Sequence, residues 1–200
     1  GSHLLVAAGR IPNIENLNLD KAGIAHTKRG ISVDQGLRTS NRRVYAVGDV
    51  AGGLQFTHVA AYHAGLVIRN ALFGLSVKAN AIVPWVTYTD PELAHAGLTE
   101  KQAREVHGDS VKILRWPFHD NDRAQTEGRT AGLVKAVVGR RGRILGVSIV
   151  GAQAGELIQP WVLAMSSGLK ISALASMISP YPTLGEVNRR TAITAFSGLA

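Results

Sequence analysis

The sequence predicts an α+β fold over its larger part, an antiparallel sheet with helices on one face, preceded by a segment of different pattern. Residues 133–138 and 144–150 are apolar runs on either side of Gly139-Arg140-Arg141-Gly142-Arg143, the pattern of a hairpin closed by a five-residue loop. Residues 83–88 and 111–116 read as two further strands. Helical stretches follow these strands instead of alternating with them, which gathers the helices on one face of an antiparallel sheet. Ahead of residue 81 the pattern is a short buried run ending in Gly48-Asp49 and then one long helix.

Taken in order, Gly1-Ser2-His3 has the form of a scar left by tag removal. Residues 4–8 open at once as a strand, so the chain is expected to be a piece of something longer. Gly9-Arg10-Ile11-Pro12-Asn13 is the exit turn. Val44, Tyr45, Ala46 and Val47 read as a buried strand that stops sharply at Gly48-Asp49. Asp49 then stands at the strand's carboxyl end, the edge of an open α/β sheet where ligands lie. Taken alone, Gly48-Asp49 is at least as well read as a simple turn pair. Residues 57–73 place Val59, Ala60, His63, Leu66, Val67, Asn70 and Ala71 at helical spacing. The start of such a helix turns free amides and about half a positive elementary charge towards the same crevice. Residues 78–80 read as a linker, which gives boundaries of 1–3 for the tag remnant, 4–80 for the first domain segment and 81–200 for the second.

Beyond the linker, Thr89-Asp90-Pro91-Glu92 turns out of the strand at 83–88. Thr99 with Gln102 has the capping-box spacing that starts a helix. Residues 154–167 carry Leu157, Ile158, Trp161, Val162 and Met165 on one helical face, with Gly168 as the stop. Pro160 inside that stretch predicts a kink or a late start. A last helix begins at Thr183 and carries Val187, Ala192, Ile193 and Phe196; Thr183 with Glu186 is a second capping-box pattern, and Pro182 sets the helix start.

Several of these stretches together resemble one family. Thr39-Ser40, Val44-Tyr45-Ala46-Val47-Gly48-Asp49-Val50 and the Thr57-His58-Val59 helix start are similar to the second flavin-binding segment of the pyridine nucleotide-disulfide oxidoreductases. The stretch from Leu4 to Asn13 resembles that family's crossing from the nicotinamide domain to the flavin domain, which places Arg10 either near the dinucleotide or in an exposed loop. Gly30-Ile31-Ser32-Val33-Asp34 resembles its glycine-led strand pair. Thr87-Tyr88-Thr89-Asp90-Pro91-Glu92 with Gly97-Leu98-Thr99-Glu100 resembles its C-terminal interface domain. The resemblance implies that residues 4–80 are the C-terminal segment of an FAD-binding domain and that 81–200 are the dimerisation domain. It implies Gly48 and Asp49 as cofactor-binding, Asp49 on the flavin ribityl chain, with Thr57, His58 and Val59 forming the helix start that faces the pyrimidine edge of the isoalloxazine.

Tyr181-Pro182-Thr183-Leu184-Gly185-Glu186 stands where many members of that family read His-Pro-Thr-x-x-Glu. There the histidine moves protons for a thiol of the opposite subunit and the glutamate orients it. A phenol, with an ordinary pKa of about 10, is a donor at neutral pH and not a base. Mercuric reductases of the family place a tyrosine at the equivalent position; they also carry a C-terminal cysteine pair, whereas this sequence ends Ser197-Gly198-Leu199-Ala200. The resemblance therefore implies Tyr181 and Glu186 as site residues acting in trans within a homodimer, and Pro182 as a candidate cis peptide. Glu186 is equally well read as purely structural. FAD and NAD(P)H are implied as cofactors of the full-length, cytoplasmic enzyme.

Composition narrows the alternatives. There are no cysteines, so a disulfide scaffold, a thiolate metal site and thiol catalysis are excluded within this chain, and the family's redox-active cysteines are expected in a missing N-terminal portion. No two glycines are separated by a single residue, so the Gly-x-Gly-x-x-Gly phosphate loop is lacking; this fragment is expected to bind flavin weakly and to be inactive alone. A hydrophobic fraction of 46% suits a packed core, while the longest apolar runs fall short of the roughly 20 residues a membrane helix needs. The net charge of +8 is spread over small groups, Lys28-Arg29, Arg42-Arg43, Arg140-Arg141 with Arg143, and Arg189-Arg190, the pattern of a solvated basic surface with no nucleic-acid motif. His58 and His63 do not share a helix face, and His95, His107 and His119 fall in expected turns or helix ends, so no metal site is expected. The competing readings are a pure association module and a basic nucleic-acid-binding domain.

Overall fold

The computed structural model describes residues 1–197 and divides into two compact units, Gly1–Asn80 and Ala81–Ala200. The expectation drawn from the absence of cysteine at the chain's end rests partly on residues 198–200, which lie outside the described residues.

In the first unit, β1 (His26–Thr27) and β2 (Gly30–Ile31) form an antiparallel pair. A small core gathers Leu19, Ile24, Ile31 and Ala46, with Val33 and Val44 packed against it. The strand expected at 4–8 is not formed, and Leu4, Leu5 and Val6 are 88%, 87% and 77% exposed. A strand needs a neighbour to take its amides and carbonyls, and none of the described strands pairs with this stretch. The strand expected at 44–47 shrinks to a single bridge between Tyr45 and Arg38 for the same reason. Its flanking bonds are Thr39 N–H to Val44 O and Ala46 N–H to Leu37 O.

The long helix α1 (Thr57–Phe73) forms where its spacing predicts. Val59, Leu66 and Asn70 are its buried positions, two to three turns of one face. Asn70 ties off the far end: its amide donates to Val77 O and Gly36 O, and its carbonyl oxygen accepts from Val77 N–H at 2.9 Å. Gly74, with φ at +64°, takes the left-handed conformation that ends the helix.

The second unit is built on a five-stranded antiparallel sheet: β3 (Trp85–Thr87), β4 (Glu92–Gly97), β5 (Lys112–Pro117), β6 (Leu133–Val138) and β7 (Ile144–Gly151), in the order β3-β4-β7-β6-β5. The expected hairpin is β6–β7, closed by a turn over Arg140–Gly142. β4 escaped the sequence reading, because Ala94, His95 and Ala96 are neither bulky nor β-branched. It pairs with β7 along its whole length, Ala94 against Ile149 and His95 against Ser148.

Four helices, α4 (Ala154–Leu157), α5 (Gln159–Ser166), α6 (Ile171–Ser176) and α7 (Glu186–Ile193), contribute to the main core with one face of the sheet. Ala96, Val134, Val147 and Ile149 meet Leu157, Trp161, Leu174 and Val187 in that core. The expected helical face is thus present. The short helix α2 (Glu100–His107) adds cover to part of the other face, where Ala103 packs with Val111, Val137 and Leu145. Between β5 and β6 lies α3 (Asp122–Thr126), capped by Asn121.

Three details differ from the sequence expectation. The stretch at 154–167 is two helices that break at Ile158, with Pro160 in the first turn of the second, where its missing amide is harmless. Helix α6 was unexpected, since six residues are too few to show a period. Helix α7 begins at Glu186 and not at Thr183: the Thr183 hydroxyl donates to Pro180 O at 2.7 Å, so the second capping box is not made. The first one is, with Thr99 and Gln102 bonded reciprocally. Gly146 admits no side chain, because a Cβ there would lie 2.0 Å from Leu98 O. Among the described residues no helix is long and apolar enough to cross a membrane.

Candidate functional site

The cofactor-binding candidates of the first unit meet around one turn. Gly48 opens a single 3-10 turn, Gly48–Ala51, with φ at +66°, and a Cβ on it would lie 2.8 Å from Ala60 Cβ. Glycine is thus needed both for the conformation and for the seat on the first turns of α1. The Gly48 amide donates to His63 Nδ1 at 3.2 Å, one and a half turns along the same helix. Burial holds the His63 pKa below 6.5, which keeps the imidazole neutral and able to accept. The sequence puts His63 at helical spacing with the inner positions of α1, which is the signal for this contact, but gives no sign that its ring accepts from the Gly48 amide.

Asp49 follows, with its side chain 45% exposed and Arg10 Nη1 at 3.9 Å from its carboxylate. The same guanidinium nitrogen donates to Gln55 O at 2.7 Å, so Arg10 holds the loop between Asp49 and α1. Thr57 and His58 are exposed at the helix start, and the His58 ring stacks on Phe56 at 5.2 Å. Val59 is different. Its side chain is buried and its amide donates to Phe56 O at 3.0 Å, so it anchors the helix start from within.

In the second unit, Tyr181 lies on the approach to α7 and Glu186 is the first residue of that helix. Tyr181 is 70% exposed, and its hydroxyl donates to Asp122 Oδ2 at 2.8 Å. That hydrogen bond, then the charge of Asp122, raises the phenol's pKa above its usual 10, with Glu186 adding in the same sense. Tyr181 is consequently a fixed hydrogen-bond donor. Asn121, which the sequence reading missed, links the two segments: its carbonyl oxygen caps α3 through Ala124 N–H, and its amide donates to Thr183 O at 3.1 Å. The Tyr181-Pro182 peptide is cis, as is Asp90-Pro91. Beneath, Trp161 Nε1 donates to Asn188 Oδ1 at 2.7 Å and the Asn188 amide donates to Leu157 O, which seats α7 on α4 and α5.

His95 is no turn residue. It lies buried on β4 between Ser148 Oγ at 2.9 Å and Gly97 O at 3.0 Å, beside the Trp85 ring, and burial lowers its pKa despite the opposing bond to Gly97. Glu100 gathers Lys135, Arg104 and Arg115, and its pKa is lowered first by the hydrogen bonds from Lys135 and Arg104. Among the described residues no three His, Asp or Glu side chains are grouped so as to hold a metal ion.

Comparison with known proteins gives this geometry a context. A family model for the pyridine nucleotide-disulphide oxidoreductase dimerisation domain matches residues 83–192, and one for pyridine nucleotide-disulphide oxidoreductase matches residues 1–64. The chain is 42% identical to a mercuric reductase of Staphylococcus aureus over 195 residues, covering 96% of this chain and 35% of that protein. It is 44% identical to a dihydrolipoyl dehydrogenase of Thermus scotoductus, covering 92% of this chain and 40% of the other. Among solved structures, LpdA from Mycobacterium tuberculosis superposes with a TM-score of 0.90 at 28% identity, over 98% of this chain and 43% of that one. The HOCl-induced flavoprotein disulfide reductase RclA from Escherichia coli superposes with a TM-score of 0.84 at 32% identity, over 93% of this chain and 43% of that one. The chain thus spans well under half the length of these relatives. With its fold, and with one family model alone matching over half of its residues, the chain belongs to the pyridine nucleotide-disulphide oxidoreductases.

Proposed function

We propose that this chain is the C-terminal portion of an FAD- and NAD(P)H-dependent disulfide oxidoreductase, that its residues 81–200 pair two subunits, and that Tyr181 and Glu186 serve the partner's reaction centre. The observation that carries this reading is the exposed Tyr181 side chain, whose hydroxyl is held by Asp122. An exposed tyrosine normally samples many positions; this one is fixed as a donor at the approach to α7.

The first unit fits a flavin on its own chemistry. Asp49 has carboxylate oxygens that accept no hydrogen bond from the described residues beyond the loose ion pair to Arg10, and ligand hydroxyls are suitable donors to them. The helix start at Thr57 favours an electron-rich edge. Bound there, FAD would supply the electron transfer between a nicotinamide and a disulfide. The chain's own part is to position: Gly48 and His63 fix the turn, Asp49 accepts, and Arg10 holds the loop. To serve an anionic sulfur or a metal-thiolate, Tyr181 would turn its single O–H from Asp122 to that acceptor; it does not act as a general base, because its proton is held to high pH.

The test uses mixed dimers of the full-length enzyme. One subunit carries Tyr181→Phe, and the other carries a lesion in the N-terminal cysteine pair. If the phenol acts in trans, both lesions fall on one site, the second site is intact, and about half of the activity remains. Action in cis leaves both sites damaged and activity near that of the single-lesion homodimers. Wild-type turnover in the Tyr181→Phe homodimer would remove the catalytic role and leave subunit pairing alone.

A further inference from the structure

The β6–β7 hairpin borders a cavity of about 500 Å³ within the second unit, and neither the family assignment nor the proposed function uses it. Its floor is apolar: Leu98, Leu145 and Met165 line it, with Leu169 at its edge. Around the mouth stand Arg140, Arg141 and Arg143 from the hairpin and Lys170 from the turn before α6, all exposed. The backbone brings these two segments together, since Arg143 and Lys170 form an antiparallel bridge. His107, at the end of α2, also lines the cavity.

The charge of this rim is not compensated. Among the described residues none of these four cations has a carboxylate within ion-pair distance. Cavities elsewhere differ: that beside α2 includes Glu100 and Glu105, that beside Asn70 includes Asp34, and that beside Arg129 includes Asp90 and Glu92. Here none of the described lining residues is acidic. Four like charges held around one opening repel one another, and an anion at its centre relieves the repulsion of all four together.

We infer that this cavity is a binding site for a small amphiphilic organic anion, one whose carboxylate or phosphate is held by Arg140, Arg141, Arg143 and Lys170 while an apolar tail lies on Leu98, Leu145 and Met165. The volume is in the range of small-ligand sites, roughly 300–1,000 Å³, and an apolar lining with a few convergent polar groups is their usual chemistry. The guanidinium groups suit the anion because each presents paired donors to two oxygens. An inorganic ion alone would leave the apolar floor wet, and an uncharged hydrocarbon would leave the rim uncompensated.

The experiment is a titration of the 200-residue chain with decanoate, followed by amide chemical shifts and calorimetry, with decanol and inorganic phosphate as companion probes. The expected result is saturable decanoate binding whose shifts cluster at residues 139–145 and 165–170, weakened at least tenfold in an Arg140→Ala/Arg143→Ala variant and unchanged in Arg29→Ala, a surface charge control in the other unit. Both decanol and phosphate should bind at least tenfold more weakly than decanoate. Three outcomes overturn the inference: no saturable decanoate binding, shifts centred elsewhere, or equal affinity for decanol or for phosphate. The hairpin arginines are exposed, so their replacement leaves the fold intact, and an unchanged thermal midpoint verifies it.

Discussion

His95 shows how a single residue can be legible in identity and illegible in role. A histidine surrounded by alanine and glycine carries no strand signal, yet the β7 partner Ser148 makes it a buried cross-strand hydrogen-bonding residue. Asp49 is the reverse case: glycine before it and a helix after it mark the position, although the strand expected to deliver it is only one bridge. Tyr181 was readable from its motif, whereas Asp122, which fixes it, lies 59 positions away and only folding brings the two together. The His95 environment makes a pH prediction. Its folded pKa lies below 6.5, so between the two values the unfolded chain binds the proton that the folded chain refuses. The stability it contributes is full above pH 6.5 and falls as pH drops through that value towards the folded pKa. Thermal midpoints of the second unit measured from pH 7.5 to 5 should decline accordingly, and His95→Gln, which retains a partner for Ser148, should reduce that decline. An unaltered slope in the variant would assign the decline to other groups.

Elements with a long period or a cap were the readable ones. Helix α1 has seventeen residues, enough for its apolar period to show, and both strands of the β6–β7 hairpin begin where glycine and arginine end the loop or where Gly132 precedes the first of them. Short elements were not readable: α6 has six residues, and β4 consists mostly of small ones. The two capping-box patterns make the limit plain. Thr99-x-x-Gln102 closes as a box, whereas Thr183-x-x-Glu186 has the same spacing but the hydroxyl turns back to Pro180. It follows that Thr99→Ala destabilises the second unit by about 1 kcal/mol, the usual worth of an N-cap side chain. Thr183→Ala should cost less, since no helix amide depends on that hydroxyl. Paired urea denaturation curves measure both, and equal losses would mean that the cap at Thr99 contributes nothing special.

At the scale of the whole molecule, each unit has a core of its own. Leu19, Ile24, Ile31 and Ala46 centre the first, while Phe118, Trp161, Ile149 and Val187 belong to a much larger one in the second. The second unit also contains its complete five-stranded sheet. Residues 81–200 produced alone should therefore fold cooperatively, with a thermal midpoint within a few degrees of the upper transition of the whole chain. Calorimetry of both proteins checks this, and a broad, non-cooperative melt of the shorter one would show that its core depends on the first eighty residues.

The unformed strand at 4–8 has a practical side. Three successive aliphatic side chains face water there, and among the described residues their backbone groups find no strand partner, which is the kind of surface that recruits other chains. What such groups lack is a neighbouring strand, so residues 4–8 form an open β edge that another extended segment can complete by taking up their amides and carbonyls.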